Sequence, residues 1–143
     1  LNTVVEHSFN YLRDRSSKLI EFSIELPDKK LTCKLNPVLL SWTIENLTKN
    51  AIDAMKGRGE LSLLLFEDKN GFKIHIKDTG KGIPASKFKT IFQPGYSTKK
   101  RGWGLGLSLS KRIIEDYHYG KIRVLNSSAE KGTTFEIRLP KLY

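Results

Sequence analysis

The sequence predicts an α+β domain, a two-layer α/β sandwich in which a mixed sheet carries its helices on one face. Three observations lead there. Helical periodicity over residues 1–14, 36–55 and 105–117 is interspersed with period-two alternation typical of strands. Two pairs of strand-like runs, 61–66 with 72–77 and 121–125 with 134–139, are joined by turn-rich connections and read as hairpins. Helices and strands follow one another in mixed order, which argues against a doubly wound parallel sheet.

Val4, Val5, Ser8, Phe9 and Leu12 recur near helical spacing and predict the first helix. Ile20, Phe22, Ile24 and Leu26 alternate as a strand does, Pro27-Asp28 is a turn, and Leu31-Thr32-Cys33 reads as a second, short strand. Asn36-Pro37 opens a helix, with a capping side chain followed by a proline at the first helical position. That helix runs to about Met55 and stops at Lys56-Gly57-Arg58-Gly59. Asp68-Lys69-Asn70-Gly71 closes the first hairpin. A short helix is expected over Ala85–Phe92, then an irregular stretch from Pro94 to Gly104. In the helix from Leu105 to Tyr117, the inward positions are Leu105, Leu109, Ile113 and Ile114. Gly120 ends it, and 126–132 joins the last two strands.

The 143 residues suit one domain with a sizeable core. No apolar run approaches the length of a membrane span, and the N-terminus lacks the pattern of a signal peptide. A single cysteine, Cys33, excludes an internal disulfide, fits a reducing compartment and reads as a small core hydrophobe. The net charge of +10 implies attraction to anions. Apart from Lys99-Lys100-Arg101 the basic residues are scattered along the sequence. Nucleic-acid binding is better served by a basic stripe interleaved with exposed aromatics, so no nucleic-acid partner is expected.

The second helix carries two asparagines four residues apart. Asn46 and Asn50 therefore present carboxamides in the same direction, and Thr43 and Asp53 extend the row. Leu40, Ile44, Leu47, Ala51, Ala54 and Met55 form the opposite, apolar side. Such a helix either shows an ordinary solvated face or lines a polar cavity. Carboxamide oxygens suit a hard cation and amide nitrogens suit phosphate oxygens. Asp78-Thr79-Gly80-Lys81-Gly82-Ile83 follows a strand directly. It reads either as a tight turn or as a place where a carboxylate accepts from an exocyclic amine. Gly102-Trp103-Gly104-Leu105-Gly106-Leu107 opens a helix, where exposed N–H groups favour phosphate. It matches neither the Walker pattern nor G-x-G-x-x-G. Gly132-Thr133-Thr134-Phe135 precedes the last strand.

In chain order these are Asn46–Asn50, Asp78-x-Gly80-x-Gly82, Phe88 with Phe92, Gly102-x-Gly104-x-Gly106, and Gly132-Thr133. The set closely resembles the N, G1, F, G2 and G3 motifs of the catalytic ATP-binding domain of sensor histidine kinases, in the GHKL superfamily. The resemblance spans nearly the whole chain and implies a Bergerat-type sandwich with ATP and Mg²⁺ as cofactors. It implies that Asn50 coordinates Mg²⁺, that Asn46 supports the metal–phosphate region with Asp53 on the same row, and that Asp78 accepts from the adenine 6-amino group. Gly80, Gly82 and Thr133 lie near the base by the same resemblance, with Ile83, Leu107 and Phe135 as apolar walls. A lid is implied from about Phe92 to Gly104, with Gly102, Gly104, Leu105 and Gly106 around the phosphates. Ser97-Thr98-Lys99 looks like the short-lid subgroup in which a lysine reaches the terminal phosphate. Lys99 alternatively reads as a solvated member of a charge run.

The chain departs from a whole kinase. His7, His75 and His118 all lack the H-E/D-x-x-x-P-like context of a phosphoacceptor. The resemblance thus implies a catalytic domain that phosphorylates a histidine on a separate dimerisation segment of its parent, with a response regulator downstream. It implies a cytoplasmic domain, any inner-membrane anchor belonging to other parts of the parent. A GHKL ATPase or an anti-sigma-type serine kinase is the competing class. Such ATPases place a glutamate one turn before the metal asparagine, where this chain has Asn46. Glu45 is rotated about 100° around the helix and is expected to pair with Lys49.

Overall fold

The computed structural model describes residues 1–96 and 106–141. Helix α1 (Asn2–Arg13) is followed by strand β1 (Ile20–Glu25), helix α2 (Pro37–Met55) and the hairpin of β2 (Gly59–Asp68) and β3 (Gly71–Asp78). Two single 3₁₀ turns follow, Ala85–Lys87 and Thr90–Phe92. Helix α3 (Gly106–Arg112) continues as a π turn over Ile113–Tyr117, and β4 (Lys121–Ser128) pairs with β5 (Gly132–Leu139). The strands form one five-stranded sheet in the order β1-β2-β3-β5-β4. Only β1 and β2 are parallel, and α2 is the crossover between them. The expected α+β sandwich with a mixed sheet is therefore what the chain adopts.

Alternation puts Leu61, Leu63 and Leu65 of β2, Ile74 and Ile76 of β3, and Phe135 and Ile137 of β5 on one face. They pack with Leu40, Ile44, Leu47 and Ala51 of α2, and with Val5 and Phe9 of α1, into one core. Burying each of these leucine, isoleucine, valine and phenylalanine side chains contributes about 1.5–3 kcal/mol. Among the described residues the opposite face of the sheet carries no helix, since α1, α2 and α3 sit on the core side.

Local chemistry sets the helix ends as expected. Asn36 Oδ1 accepts the Leu39 N–H at 3.0 Å, Pro37 occupies the first turn, and α2 ends at Lys56 in the left-handed region (φ 55°). Three expectations fail. Residues 31–33 are not a strand: Leu31 is held instead by Asn2, whose Oδ1 accepts its N–H at 2.9 Å, and no neighbouring strand pairs with it. The helix expected over Ala85–Phe92 is two separate 3₁₀ turns, because the core takes Ile91 and Phe92 while Pro84 fixes the entry to the first. Leu109 is 40% exposed; the inward row of α3 is Ser110, Ile113 and Ile114, at i, i+3 and i+4. Cys33 is half-buried against the core, and burial pushes its thiol up.

His118 follows the π turn at the end of the last helix. It is buried, its Nε2 accepts the Asn36 N–H at 3.0 Å, and its Nδ1 donates to the Ile113 carbonyl at 2.8 Å. The neutral imidazole thus ties the start of α2 to the π turn. We expect His118→Ala to lower unfolding free energy by about 1–3 kcal/mol, the cost of leaving buried backbone groups unpaired. Urea denaturation checks this, and a change below about 0.5 kcal/mol would refute the tie.

Candidate functional site

The site is built along one side of α2. At its C-terminal end the chain leaves β3 through Asp78 and turns back over the helix. Lys81 N–H donates to the Ala54 carbonyl at 3.2 Å, which fixes the 79–81 loop on α2. Asp78 is only 2% exposed. Its Oδ1 accepts the Gly80 N–H at 2.8 Å and the Thr133 N–H at 3.4 Å. Burial raises its pKa above the ordinary carboxylate value, and these two N–H donors offset only part of that.

Thr133 sits where the β4–β5 hairpin meets this carboxylate. Gly132 adopts φ 81°, and a Cβ there would overlap the Asp78 carbonyl oxygen. Ser127, directly across the hairpin from Thr133, shares a hydrogen bond with its hydroxyl at 2.7 Å. The same Ser127 Oγ accepts the Ile83 N–H at 2.7 Å. One hydroxyl pair therefore locks the loop after Asp78 to the final hairpin.

Asn46 lies eight residues before Ala54, about 12 Å along the helix axis. Its Nδ2 donates to Ser110 Oγ at 3.0 Å, and Ser110 Oγ donates to the Gly106 carbonyl at 2.9 Å. A Cβ on Gly106 would lie 2.8 Å from Asn46 Oδ1, so α3 begins in close contact with the Asn46 carboxamide. Asn50 is half-buried one turn further along, and Asp53 is exposed. Two polar clusters result, one around Asn46 and one around Asp78, joined by the α2 face that carries Asn50.

A 107-residue stretch, 36–142, matches the family model described as histidine kinase-, DNA gyrase B- and HSP90-like ATPase. The chain belongs to this family. Over 98% of its length it is 36% identical to the sensor histidine kinase ZraS of Escherichia coli K12, but spans only 30% of that protein. Over 67% of its length it is 42% identical to sporulation kinase A of Bacillus subtilis, covering 16% of it. The solved, nucleotide-free catalytic domain of histidine kinase ThkA superposes over 99% of this chain and 95% of its own, with TM-score 0.87 and 29% identity. The protein is thus an ATP-binding catalytic domain of the histidine-kinase type.

The structure brings Asn46, Gly106 and Leu107 together at one end of the α2 face and Asp78, Gly80, Gly82, Ile83 and Thr133 at the other, with Asn50 between them. Ile83 and Leu107 are half-buried against the core. Phe92 is buried edge-on to Phe135, with ring centroids 6.2 Å apart. Thr98, Lys99, Gly102, Gly104 and Leu105 lie outside the described residues, as do Trp103 and most of the expected lid. Thr43 does not join the polar row: it is fully buried and its hydroxyl donates to the Leu39 carbonyl. Glu45 does not pair with Lys49; its carboxylate accepts from Ser41 at 3.4 Å. A cavity of about 460 Å³ between Phe92, Pro94 and the outer side of α3 contains neither Asp78 nor the asparagines.

Ser110, Ser127 and the Ala54 carbonyl are the site residues that sequence reasoning missed. Ser127 could have been found from the hairpin register opposite Thr133, and Ser110 from its i+4 relation to Gly106. The Ala54 carbonyl carries no sequence signal.

Proposed function

We propose that the domain binds Mg-ATP along the α2 face and transfers the γ-phosphoryl group to a histidine on a separate dimerisation segment of its parent kinase. The observation that carries this is Asp78: a buried carboxylate with one oxygen held by two backbone donors and its pKa raised by desolvation. Such a group gains most from a neutral donor such as the adenine 6-amino group, which favours its ionised form. Thr133 and Gly82 complete the base site, and Asn46 with the start of α3 faces the phosphates.

The donor set around Asn50 fits Mg²⁺, which takes few protein ligands when phosphate oxygens supply the rest. Asn50 would hold the ion, with Asn46 beside it, and the ion when bound supplies charge neutralisation at the β- and γ-phosphates. Among the described residues no cluster of His, Cys, Asp or Glu offers an alternative metal site. Lys99 and the 102–106 amides are proposed to stabilise the transferring phosphoryl group. The imidazole nitrogen attacks phosphorus as the bond to ADP oxygen breaks; a neutral imidazole needs no strong base. ATP hydrolysis is the second reading, but the water-activating slot holds Asn46, an amide already donating to Ser110.

ThkA has been solved in complex with the response regulator TrrA. By analogy we propose a response regulator as the downstream partner. Among the described residues no helix is long and apolar enough to cross a membrane. We propose a cytoplasmic position for the domain, with membrane attachment only through other parts of the parent.

The test combines the chain with the parent's dimerisation segment and radiolabelled ATP. Acid-labile, base-stable label on a histidine of that segment is expected. Label on serine, or on His7, His75 or His118, would promote the serine-kinase or self-modifying alternative. Rapid hydrolysis without transfer would promote the ATPase. By calorimetry, Asn50→Ala is expected to remove the Mg²⁺-dependent part of ATP binding, and an unchanged Mg²⁺ increment would take the metal away from Asn50.

A further inference from the structure

The face of the sheet opposite the core gathers charges that lie far apart in the sequence. Alternation that sends Phe72, Ile74, Ile137, Leu139 and Ile122 into the core sends Lys73, Arg138 and Lys121 outward. Lys73 is directly opposite Arg138, and Arg138 directly opposite Lys121. Three cations therefore stand in one row across β3, β5 and β4, spanning about 10 Å at the usual strand spacing. Like charges directly opposite one another are destabilising. Lys73 is compensated by Asp68 at 2.6 Å. Among the described residues, neither Arg138 nor Lys121 has an acidic partner.

The next row contrasts with it. Glu136 is 3% exposed, and both its oxygens are taken, by His75 Nε2 at 2.8 Å and Arg123 Nε at 3.0 Å. Burial pushes this carboxyl up, yet the two donors together hold it below the ordinary range. The buried carboxylate of the neighbouring row is thus already committed to its own partners.

Beside the row the surface is concave. A cavity of about 200 Å³ is lined by Lys73, Lys121 and Arg138 together with Tyr119 and the 70–71 turn. Tyr119 is 78% exposed and holds φ 57°, a conformation that costs a non-glycine residue about 1–2 kcal/mol. The cavity is smaller than pockets for whole small molecules, about 300–1,000 Å³, and suits one or two acidic side chains.

We propose that this depression is a docking site for an acidic protein segment, whose carboxylates pair with Arg138 and Lys121 while Tyr119 packs on its chain. Arg138 offers the planar fork that matches a carboxylate. A flat bilayer cannot enter a depression, and three cations over one short row give a nucleic-acid backbone little to track. The site lies at the Gly71–Leu139 end of the strands, whereas Asp78 and Gly132 lie at the other end, so it is independent of nucleotide binding.

The test measures anisotropy of a fluorescein-labelled twelve-residue glutamate–aspartate peptide with the chain. Saturable binding is expected. It should weaken at least about tenfold in the double variant Lys121→Gln/Arg138→Gln, with ATP affinity unchanged. Removing the like-charge row should leave Tm equal or higher. No saturable binding would overturn the proposal, as would equal binding by the double variant. A double variant with lowered Tm and unchanged peptide affinity would mark the row as structural and overturn it too. Preferential binding of phosphatidylserine vesicles or single-stranded DNA, lost in the double variant, would replace the acidic segment by that partner.

Discussion

Asp78→Asn is expected to weaken ATP binding by about 1.5–3 kcal/mol, roughly tenfold to a hundredfold, the value of a hydrogen bond to a charged group. Asparagine can keep the oxygen that accepts from Gly80 and Thr133, so the local fold should survive. Its other atom becomes an NH₂, which meets the adenine amine donor to donor. Selectivity for ATP over GTP should therefore fall with the affinity. The buried carboxylate also carries a sign. Because its folded pKa is raised, the group stabilises the empty domain below the unfolded pKa, and that contribution is lost as pH rises through the folded value. Above the folded pKa the ionised Asp78 is a burden on the empty domain. The variant should then melt at the same temperature or higher without nucleotide, yet gain less from ATP. Nucleotide affinity of the unmodified domain should fall as pH is lowered through the raised pKa, with a proton released on binding. Calorimetry in two buffers of different ionisation heat, together with thermal melts, reads all of this. Undiminished ATP affinity in Asp78→Asn would remove the carboxylate from the base site.

Gly132→Ala is expected to damage fold and site together. The left-handed φ of 81° costs a side-chain-bearing residue about 1–2 kcal/mol. The added Cβ would also overlap the Asp78 carbonyl oxygen, a backbone atom that cannot swing away as a flexible side chain can. Relief requires moving the start of β5 off the end of β3, and the Thr133 N–H leaves Asp78 with it. Gly57→Ala is the control: its φ is 83°, but nothing lies within 4 Å of the added atom. Thermal melts should show a larger fall in Tm for Gly132→Ala than for Gly57→Ala, and only the former should weaken ATP binding. Equal effects at both positions would mean that strain alone, not the contact with Asp78, sets the requirement for glycine.

Much was legible in the sequence because it depends on neighbours a few residues apart. The cap at Asn36, the stop at Lys56-Gly57 and the first hairpin follow from local preferences that the core does not contradict. The asparagine pair on α2 follows from helical geometry alone, and the motif order identified the family without any contact being known. The errors came where packing overrode pattern. Thr43 has the spacing of the polar row but lies on the side that the core claims, and Leu109 is apolar but lies outside the row that packs.

The sequence by itself determined the fold class and the family and nominated the residues of the candidate site, because periodicity, turn chemistry and motif order are written along one dimension. Tertiary structure alone decided what holds those residues in place. Ser110 reaches Asn46 across 64 positions, Thr133 reaches Asp78 across 55, and Asn36 reaches His118 across 82. It also decided where the surplus charge gathers: Lys73, Lys121 and Arg138 look scattered until β5 inserts between β3 and β4. Strand order is fixed by which apolar faces bury best against α2, a sum over the whole core that no local window contains.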